Sequence, residues 1–416
     1  METAPLLHQA ASTGREMQQL DHSAGRGRYM RIGDSREATL CESPSRDRAS
    51  GVAPGLASDV EPKHVSTRIR VNGDMNSLNG CKQLVRNPFA RRDRTPSLGG
   101  YLRLTIGVVL LLPIRLLLSV GTLILAWFLV FLATLGIPRA SLAARPLSRW
   151  RRRIVFGVLR LFSRFLLYVF GFWRIREYGD LGSRRNLSGS CIIVSNHVSF
   201  FDILYFIYAF APAFVAKKEV RSLPFVGTIA AAMQSIFVDR ERTQTGGTAE
   251  LIRRRVTSAE AAAYPPLVLF PEGTTSNGDA LLRFHSGAFL SGVCVRPLAL
   301  RYHSADFDPA FVGLTPWRLA GIIAQPWMAM TVHHLPMYEP STAEVECPRL
   351  YAENVRALIA GALQVERVEL NYRDRVHRNL SRIGLHMVEI SLGDIAKRSE
   401  DPDTVAEDDA LRSAMV

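Results

Sequence analysis

A long apolar stretch constrains the fold of this chain more than any other feature of its sequence. Residues 104–137 read LTIGVVLLLPIRLLLSVGTLILAWFLVFLATLGI, and the 22 residues from Leu116 to Ile137 carry no charge. A helix of that length spans a hydrocarbon core of about 30 Å. Two arrangements are open: a single span over the uncharged segment, or a re-entrant hairpin bent near Pro113 or Gly121. As a buried helix of a soluble protein, the stretch would be unusually free of polar residues.

The positive charge of the chain is concentrated around this stretch. Residues 101–200 contain 14 basic and 2 acidic side chains, so they carry +12 of the formal net charge of +13. Basic residues beside an apolar run are typical of proteins at anionic membrane surfaces, so we expect membrane lipids as partners and no nucleic acid. Arginines flank the run on both sides, which favours two cytosolic ends and therefore the hairpin. Residues 154–173 continue apolar, with Arg160 and Arg164 on one helical face, and predict a helix lying in the membrane interface.

Composition and periodicity divide the chain into four parts. Residues 1–98 are polar and rich in Ser, Gly and Arg, which predicts a disordered N-terminal tail, and residues 99–173 hold the membrane anchor and interfacial helices. Residues 174–370 alternate short apolar strands with helices, which predicts an α/β domain with a central sheet flanked by helices. Residues 371–416 turn polar and predict a solvated C-terminal tail. The predicted strands are 191–195, 214–216, 236–238, 266–270 and 295–300, and the predicted helices are 245–263 and 350–363.

The first candidate site follows directly on a predicted buried strand. Residues 195–202 read SNHVSFFD, so Asp202 lies five residues after His197. The carboxylate of Asp202 can bind one ring nitrogen of His197, which leaves the other nitrogen to take a proton from an alcohol. On its own this spacing occurs often by chance, and a structural histidine beside a capping Asn or Ser would explain it equally well.

A second candidate site lies in residues 268–277, which read VLFPEGTTSN. Here another apolar strand ends at a proline, and Gly273 permits a tight approach of the backbone. The hydroxyls of Thr274, Thr275 and Ser276, with the nearby amides, can surround a phosphate or carbonyl oxygen. A simple Pro-Gly turn is the alternative.

Two further features lie on strands and have little meaning alone. The strand 236–238 delivers Arg240, whose planar guanidinium suits a phosphate, although a surface pair with Asp239 would look the same. The segment VRPLAL carries Pro297 near the start of a strand. The chain contains no GxSxG, P-loop, GxGxxG or EF-hand pattern, and its five cysteines form no CxxC pair, so a serine hydrolase, an NTPase, a dinucleotide enzyme and a cysteine-rich zinc module are not expected.

Taken in this order, the four features resemble the four conserved blocks of the glycerolipid acyltransferase family (1-acylglycerol-3-phosphate acyltransferase-like). The first block is His197 with Asp202, the second contributes Arg240, the third is FPEGT at 270–274, and the fourth contributes Pro297. The resemblance is greatest to the lysophosphatidylcholine and lysophosphatidylethanolamine acyltransferases. It extends over roughly residues 100–370 and includes SGAFLSGVCVRPLALRY, LPMYEPS and LYAENVRALIAGAL.

This resemblance implies a membrane-bound enzyme with an acyltransferase domain over 174–370. It implies acyl-CoA as co-substrate, a lysophospholipid as acceptor, no separate cofactor and no metal. His197 would be the base and Asp202 would orient it, while Arg240, the 272–275 segment (Glu272, Gly273, Thr274, Thr275) and Pro297 would form the substrate-binding part. It further implies the endoplasmic reticulum membrane with the catalytic domain facing the cytosol.

Two positions depart from the pattern of enzymes that act on lysophosphatidate. Those enzymes commonly carry Arg after FPEGT and Lys in a following FKxGAF segment, whereas this chain has Thr275 and His285. A phosphomonoester carries about −1.5 to −2 charges at neutral pH and a phosphodiester carries less. The loss of two cations therefore favours a phosphodiester acceptor. Lysophosphatidate or glycerol 3-phosphate as acceptor, and a catalytically silent lipid-binding protein, are the alternatives.

Overall fold

The structure is a computed structural model that describes residues 82–93, 97–182, 189–238, 247–304, 306–377, 380 and 387–391. The strands are β1 Lys82–Arg86, β2 Ile175–Gly179, β3 Ile192–Ser195, β4 Ala213–Lys217, β5 Ile236–Val238, β6 Leu267–Leu269, β7 Ala280–Leu281, β8 Val295–Ser304, β9 Met328–His334, β10 Glu366–Arg367 and β11 Met387–Ser391. The α-helices are α1 Leu98–Ile106, α2 Leu112–Ala133, α3 Arg139–Leu142, α4 Arg149–Val169, α5 Phe201–Phe210, α6 Val226–Ala232, α7 Gly247–Thr257, α8 Pro316–Ala324, α9 Thr342–Glu346, α10 Pro348–Leu363 and α11 Tyr372–His377.

Seven strands form one mixed sheet in the order β2-β9-β8-β3-β6-β4-β5. Neighbouring strands are parallel except for β8 and β9, which are antiparallel. The side chains of β3 alternate between two apolar clusters: Ile193 belongs to one, and Ile192 and Val194 belong to the other. Both faces of the sheet are therefore covered, as is usual where helices connect parallel strands. The predicted α/β class, with a central sheet flanked by helices, is confirmed.

The apolar stretch forms one helix of 36 residues from Leu98 to Ala133. A π-helical turn over Gly107–Leu111 joins α1 to α2, and Pro113, which has no N–H to donate, follows shortly after this turn. The chain does not reverse at Pro113 or at Gly121. By length and composition this helix can cross a membrane, and only 22% of its most apolar 18-residue segment is buried. Of the two arrangements left open by the sequence, the structure has the continuous helix.

One arginine in this helix ties it to the rest of the molecule. Arg115 is buried, and its Nη1 donates to the carbonyls of Ile323 and Gln325, the latter at 2.6 Å, while Nη2 donates to the carbonyl of Pro326 at 3.2 Å. These carbonyls lie at the C-terminal end of α8, where backbone acceptors have no partner within the helix. The charge that interrupts the apolar stretch is thus a cap for a helix of the α/β domain.

The predicted interfacial helix is α4, which begins a few residues earlier than expected and packs against α2 and α5. Arg160 and Arg164 do lie on one side of it and donate to the carbonyls of Phe210 and Phe172, both at 3.1 Å. The exposed side of α4 carries large apolar residues, namely Ile154, Leu161, Phe165 and Tyr168. An exposed apolar side on an arginine-rich helix fits a position at a membrane surface.

Parts of both predicted tails, 1–98 and 371–416, belong to the folded part of the chain. Strand β1 pairs antiparallel with β11, and Phe89 is fully buried in the larger apolar cluster. Asn277 donates from its side chain to the carbonyls of Asn87 and Ala90, at 3.1 and 2.8 Å. Residues 1–81 of the predicted N-terminal tail and 392–416 of the C-terminal tail lie outside the described residues.

Candidate active site

The loop between β3 and α5 carries the first predicted pair. Strand β3 ends at Ser195 and α5 begins at Phe201, so Asp202 lies in the first turn of that helix. Both side chains are buried, with exposed fractions of 7% for His197 and 0% for Asp202. The N-terminal end of a helix favours a carboxylate because its free N–H groups carry partial positive charge.

The two side chains form the predicted hydrogen bond. Nδ1 of His197 lies 2.8 Å from Oδ2 of Asp202. The same oxygen accepts the backbone N–H groups of Val198 at 2.8 Å and Ser199 at 3.0 Å. Three donors on one carboxylate oxygen hold it in place, so the imidazole is fixed at Nδ1 and its Nε2 is the nitrogen that remains for chemistry.

Sequence reasoning missed Tyr302, which completes this arrangement from β8. Its hydroxyl donates to Oδ1 of Asp202, so both carboxylate oxygens are occupied. Burial, together with the adjacent charge of Asp202, holds the pKa of Tyr302 well above its ordinary value, which keeps it a hydrogen-bond donor. Tyr302 lies within the quoted segment VRPLALRY, but 100 residues separate it from Asp202, and no spacing rule connects them.

The ring of His197 is also held from its side. It stacks on Phe270 with 4.1 Å between ring centroids and 17° between planes. Among the described residues, none forms a hydrogen bond with Nε2 of His197, while Nδ1 is bound to Asp202. An imidazole with one nitrogen bound to a carboxylate and the other unoccupied can act as a general base toward a hydroxyl group.

The loop after β6 brackets the backbone of His197. Oε1 of Glu272 accepts the N–H of His197 at 2.7 Å, and its Oε2 accepts the N–H of Leu282 at 3.2 Å. The N–H of Ser276 donates to the carbonyl of His197 at 2.9 Å. Burial raises the pKa of Glu272 to about 8, against the opposing effect of the two N–H donors. Glu272 therefore positions the histidine loop, and its predicted contact with substrate stays a prediction.

Gly273, Thr274 and Thr275 of the same loop are each held by contacts within the protein. Gly273 has a φ of +66°, and a Cβ there would come within 2.8 Å of Nε2 of His285, so only glycine fits without strain. Oγ1 of Thr274 accepts from Nη1 of Arg375 at 2.8 Å, and Oγ1 of Thr275 donates to the carbonyl of Phe311 at 2.7 Å.

The remaining predicted residues of the substrate-binding part are less informative. Pro297 is buried in β8 beside Val194 of β3, so it shapes the sheet next to the histidine loop. Arg240 lies outside the described residues. Asn196 was not predicted to matter, yet its side chain exchanges two hydrogen bonds with the backbone of Leu300, at 2.9 and 2.8 Å, and so ties the histidine loop to β8.

Nucleophilic and metal-binding groups are not prominent around this site. Burial raises the pKa of the Cys191 thiol to about 12, so it remains protonated near neutral pH. Within the described ranges, no group of three or more His, Cys, Asp or Glu side chains is arranged to hold a metal ion.

Part of the α/β domain matches a known protein family. Residues 175–301 match the family model described as Acyltransferase, a range that contains the His197–Asp202 pair, the 270–276 loop and Tyr302's neighbour Arg301 at its end. Tyr302, which binds Asp202, and Arg375, which binds Thr274, lie beyond the matched range.

Three curated proteins illustrate the similarity over a longer range. The chain is 34% identical over 335 residues to lysophospholipid acyltransferase LPEAT1 of Arabidopsis thaliana, covering 69% of this chain and 84% of that protein. It is 35% identical over 273 residues to lysophospholipid acyltransferase LPCAT4 of Mus musculus, covering 64% and 50%. It is 31% identical over 305 residues to lysophosphatidylcholine acyltransferase of Drosophila melanogaster, covering 71% and 55%.

The chain thus spans most of the plant relative and about half the length of the two animal relatives. The similarity runs well beyond the four short blocks, because about a third of the aligned positions are identical over at least 273 residues. The resemblance inferred from the motifs is confirmed, and the chain belongs to the acyltransferase family.

Proposed function

We propose that this protein is a membrane-bound lysophospholipid acyltransferase. It moves an acyl group from acyl-CoA to the free glycerol hydroxyl of lysophosphatidylcholine or lysophosphatidylethanolamine. The observation that carries the proposal is the imidazole of His197, held at Nδ1 by Asp202 at 2.8 Å with Nε2 free of described partners. The relatives' names, lysophospholipid and lysophosphatidylcholine acyltransferase, support the acceptor class.

The reaction needs a base for the acceptor alcohol and needs no covalent enzyme intermediate. Nε2 of His197 takes the hydroxyl proton while the oxygen attacks the thioester carbon. The C–S bond then breaks, and the imidazolium returns the proton to the CoA thiolate, so that the products are an ester and free CoA. Asp202 stabilises the imidazolium formed between these steps, and such a base typically contributes about 10²–10⁴-fold to the rate.

The tetrahedral oxyanion requires hydrogen-bond donors close to the base. The backbone N–H groups of Thr274 and Thr275 form no hydrogen bond with any described residue. Both follow Gly273 in the loop that brackets His197, so their N–H groups are the candidates for this role.

Charge in the same region favours a phosphodiester acceptor. Thr275 and His285 occupy the two positions at which enzymes for lysophosphatidate commonly carry cations. The ring of His285 is buried against Gly273. A site with fewer fixed cations suits an acceptor that carries one negative charge instead of nearly two.

The location follows from the substrates. Both carry long acyl chains that partition into lipid, so a site held at the bilayer surface meets them without moving the chains fully into water. The long apolar helix and the exposed apolar side of α4 support membrane attachment. We place the enzyme in the endoplasmic reticulum with the catalytic domain facing the cytosol, where acyl-CoA is available.

An acceptor panel tests this function. Purified protein in phosphatidylcholine vesicles is given radiolabelled acyl-CoA with lysophosphatidylcholine, lysophosphatidylethanolamine, lysophosphatidate or glycerol 3-phosphate, and a His197→Ala variant serves as the blank. We expect the first two acceptors to be acylated fastest. Faster acylation of lysophosphatidate would contradict the charge argument, and no transfer to any acceptor would indicate a silent lipid-binding protein.

A further inference from the structure

A cation outside the four motif blocks lies against the FPEGT loop. Arg375 belongs to α11, and its Nη1 donates to Oγ1 of Thr274 at 2.8 Å. This arginine follows the range matched by the family model, and composition assigned it to a solvated tail. Phe89 lies under the guanidinium, with 5.8 Å from the ring centroid to Cζ.

Arg375 lacks a carboxylate partner among the described residues. The guanidinium of Arg375 has five N–H donors, but within the described ranges it forms one hydrogen bond, to Thr274. Burial lowers the pKa of Arg375 from its ordinary value, and the nearby Tyr372 opposes this effect only in part. By contrast, Arg356 and Arg92 are each paired with two carboxylates. A partly buried cation with free donors and no counter-charge is suited to an anionic ligand.

The position of Thr274 places this cation close to the proposed base. Glu272 and Ser276 hydrogen-bond to the N–H and the carbonyl of His197, and Thr274 lies midway between them. With 3.8 Å between consecutive Cα atoms, the Cα of Thr274 is within about 8 Å of both. In a lysophospholipid, only a few bonds separate the free hydroxyl from the phosphorus, so the phosphate must also lie near His197.

We propose that Arg375 and Thr274 form a binding site for a phosphate group of the substrates. The inference rests on the proposed function and makes its charge argument specific. The chain lacks two cations typical of lysophosphatidate enzymes, at Thr275 and His285, and Arg375 supplies one positive charge from a different element. The phosphates of CoA share this chemistry, and the experiment separates the two sources.

The test compares binding and kinetics in matched variants of the full chain. Arg375→Gln removes the charge while keeping a hydrogen-bonding side chain, and Arg375→Lys keeps the charge. Arg367→Gln is the control, because Arg367 is an exposed arginine near α11 that pairs with Glu353. Equilibrium binding is measured for lysophosphatidylcholine, for CoA and for monoacylglycerol, which lacks the phosphate, and KM and kcat are measured for both substrates.

For Arg375→Gln we expect about 10- to 100-fold weaker binding and higher KM for one phosphate-bearing ligand, since a hydrogen bond to a charged group has about that effect. Monoacylglycerol binding and kcat should change less than threefold, and Arg375→Lys should recover most of the loss. A change confined to lysophosphatidylcholine assigns the site to the acceptor, and a change confined to CoA assigns it to the donor.

The inference would be overturned if the Arg375→Gln protein bound each ligand as tightly as the parent does. It would also be overturned if binding of all three ligands were weakened by the same factor, which indicates a general loss of structure. Failure of the proposed function looks different. In that case the parent protein transfers no acyl group, while the phosphate-dependent difference in binding between the parent and Arg375→Gln persists.

Discussion

Replacing Asp202 by Asn should stop most of the catalysis while leaving the fold in place. An amide oxygen at the position of Oδ2 can still accept from Val198, Ser199 and the His197 ring, and the Tyr302 hydroxyl can turn to accept from the new NH₂ group. What the variant loses is the negative charge beside the imidazolium. The charge centres are about 4 Å apart, and at an effective dielectric constant of about 20 their attraction is about 4 kcal/mol, which corresponds to roughly a 10³-fold loss of kcat.

The assay follows acyl transfer from labelled acyl-CoA to lysophosphatidylcholine at saturating substrate, with thermal unfolding in detergent measured in parallel. Asp279→Asn is the matched control, because that aspartate pairs with Arg92 at 2.9 Å in a partly exposed position and should affect kcat less than threefold. An Asp202→Asn protein that unfolds normally and keeps kcat within tenfold of the parent would refute the proposed role of the carboxylate.

Three further predictions follow from the same contacts. Tyr302→Phe removes one charge-assisted hydrogen bond from Asp202 and should lower kcat about 10- to 100-fold. In a protein that already carries Asp202→Asn, the same substitution should have a far smaller effect on kcat. Equal effects in the two proteins would exclude action of Tyr302 through the carboxylate. Thr275→Arg combined with His285→Lys should raise kcat/KM for lysophosphatidate relative to lysophosphatidylcholine about tenfold, because it adds two cations, and an unchanged ratio counts against the charge argument. The pKa of Glu272 rises from 4.5 to about 8 on folding, so between these values the folded state alone keeps the proton. The free energy of unfolding should therefore fall as pH rises through that window, by at most about 1.4 kcal/mol per pH unit, and Glu272→Gln should remove this slope. A slope unaffected by the substitution would contradict the raised pKa.

The central part of the sheet is predictable from local patterns. Strands β3, β5, β6 and β8 lie where short apolar runs end at turn residues, within one or two residues of the predicted starts. Strands β2 and β9 were not predicted. Strand β2, IREYG, is mostly polar and lies at the edge of the sheet, and β9, MAMTVHH, ends in polar residues beside it. The alternation in β9, buried at every second residue, reflects a strand with one covered face.

The anchor differs from its prediction for a local reason. A proline inside a helix usually removes a hydrogen bond and bends the chain. Here the π-helical turn over Gly107–Leu111 precedes Pro113, and the helix continues through it. Gly107 allows this part of the helix to touch α8, since a Cβ there would come within 2.2 Å of the Ala324 carbonyl oxygen. The arginines on both flanks favoured a hairpin, but Arg91, Arg151 and Arg152 among them donate hydrogen bonds to backbone carbonyls of the protein.

The hydrogen-bonded pair of His197 and Asp202 was predictable because its two members lie five residues apart at the end of a strand. Its supporting groups were not, because they come from distant parts of the chain. Tyr302 reaches Asp202 across 100 residues, and Arg375 reaches Thr274 across 101. Arg375 also lies in a polar segment whose composition indicates a tail, and only its packing beside Phe89 and the FPEGT loop distinguishes it from a solvated arginine.

The rate of acyl transfer by a His197→Ala protein tests the central claim most directly. The substitution removes the proposed base and leaves Asp202 with its backbone donors and Tyr302, so unfolding should be little changed. With acyl-CoA and lysophosphatidylcholine, and with unfolding temperature and vesicle binding matched to the parent, we predict a loss of about 10²–10⁴-fold in kcat. A folded, membrane-bound His197→Ala protein that transfers acyl groups at the parental rate would contradict the claim.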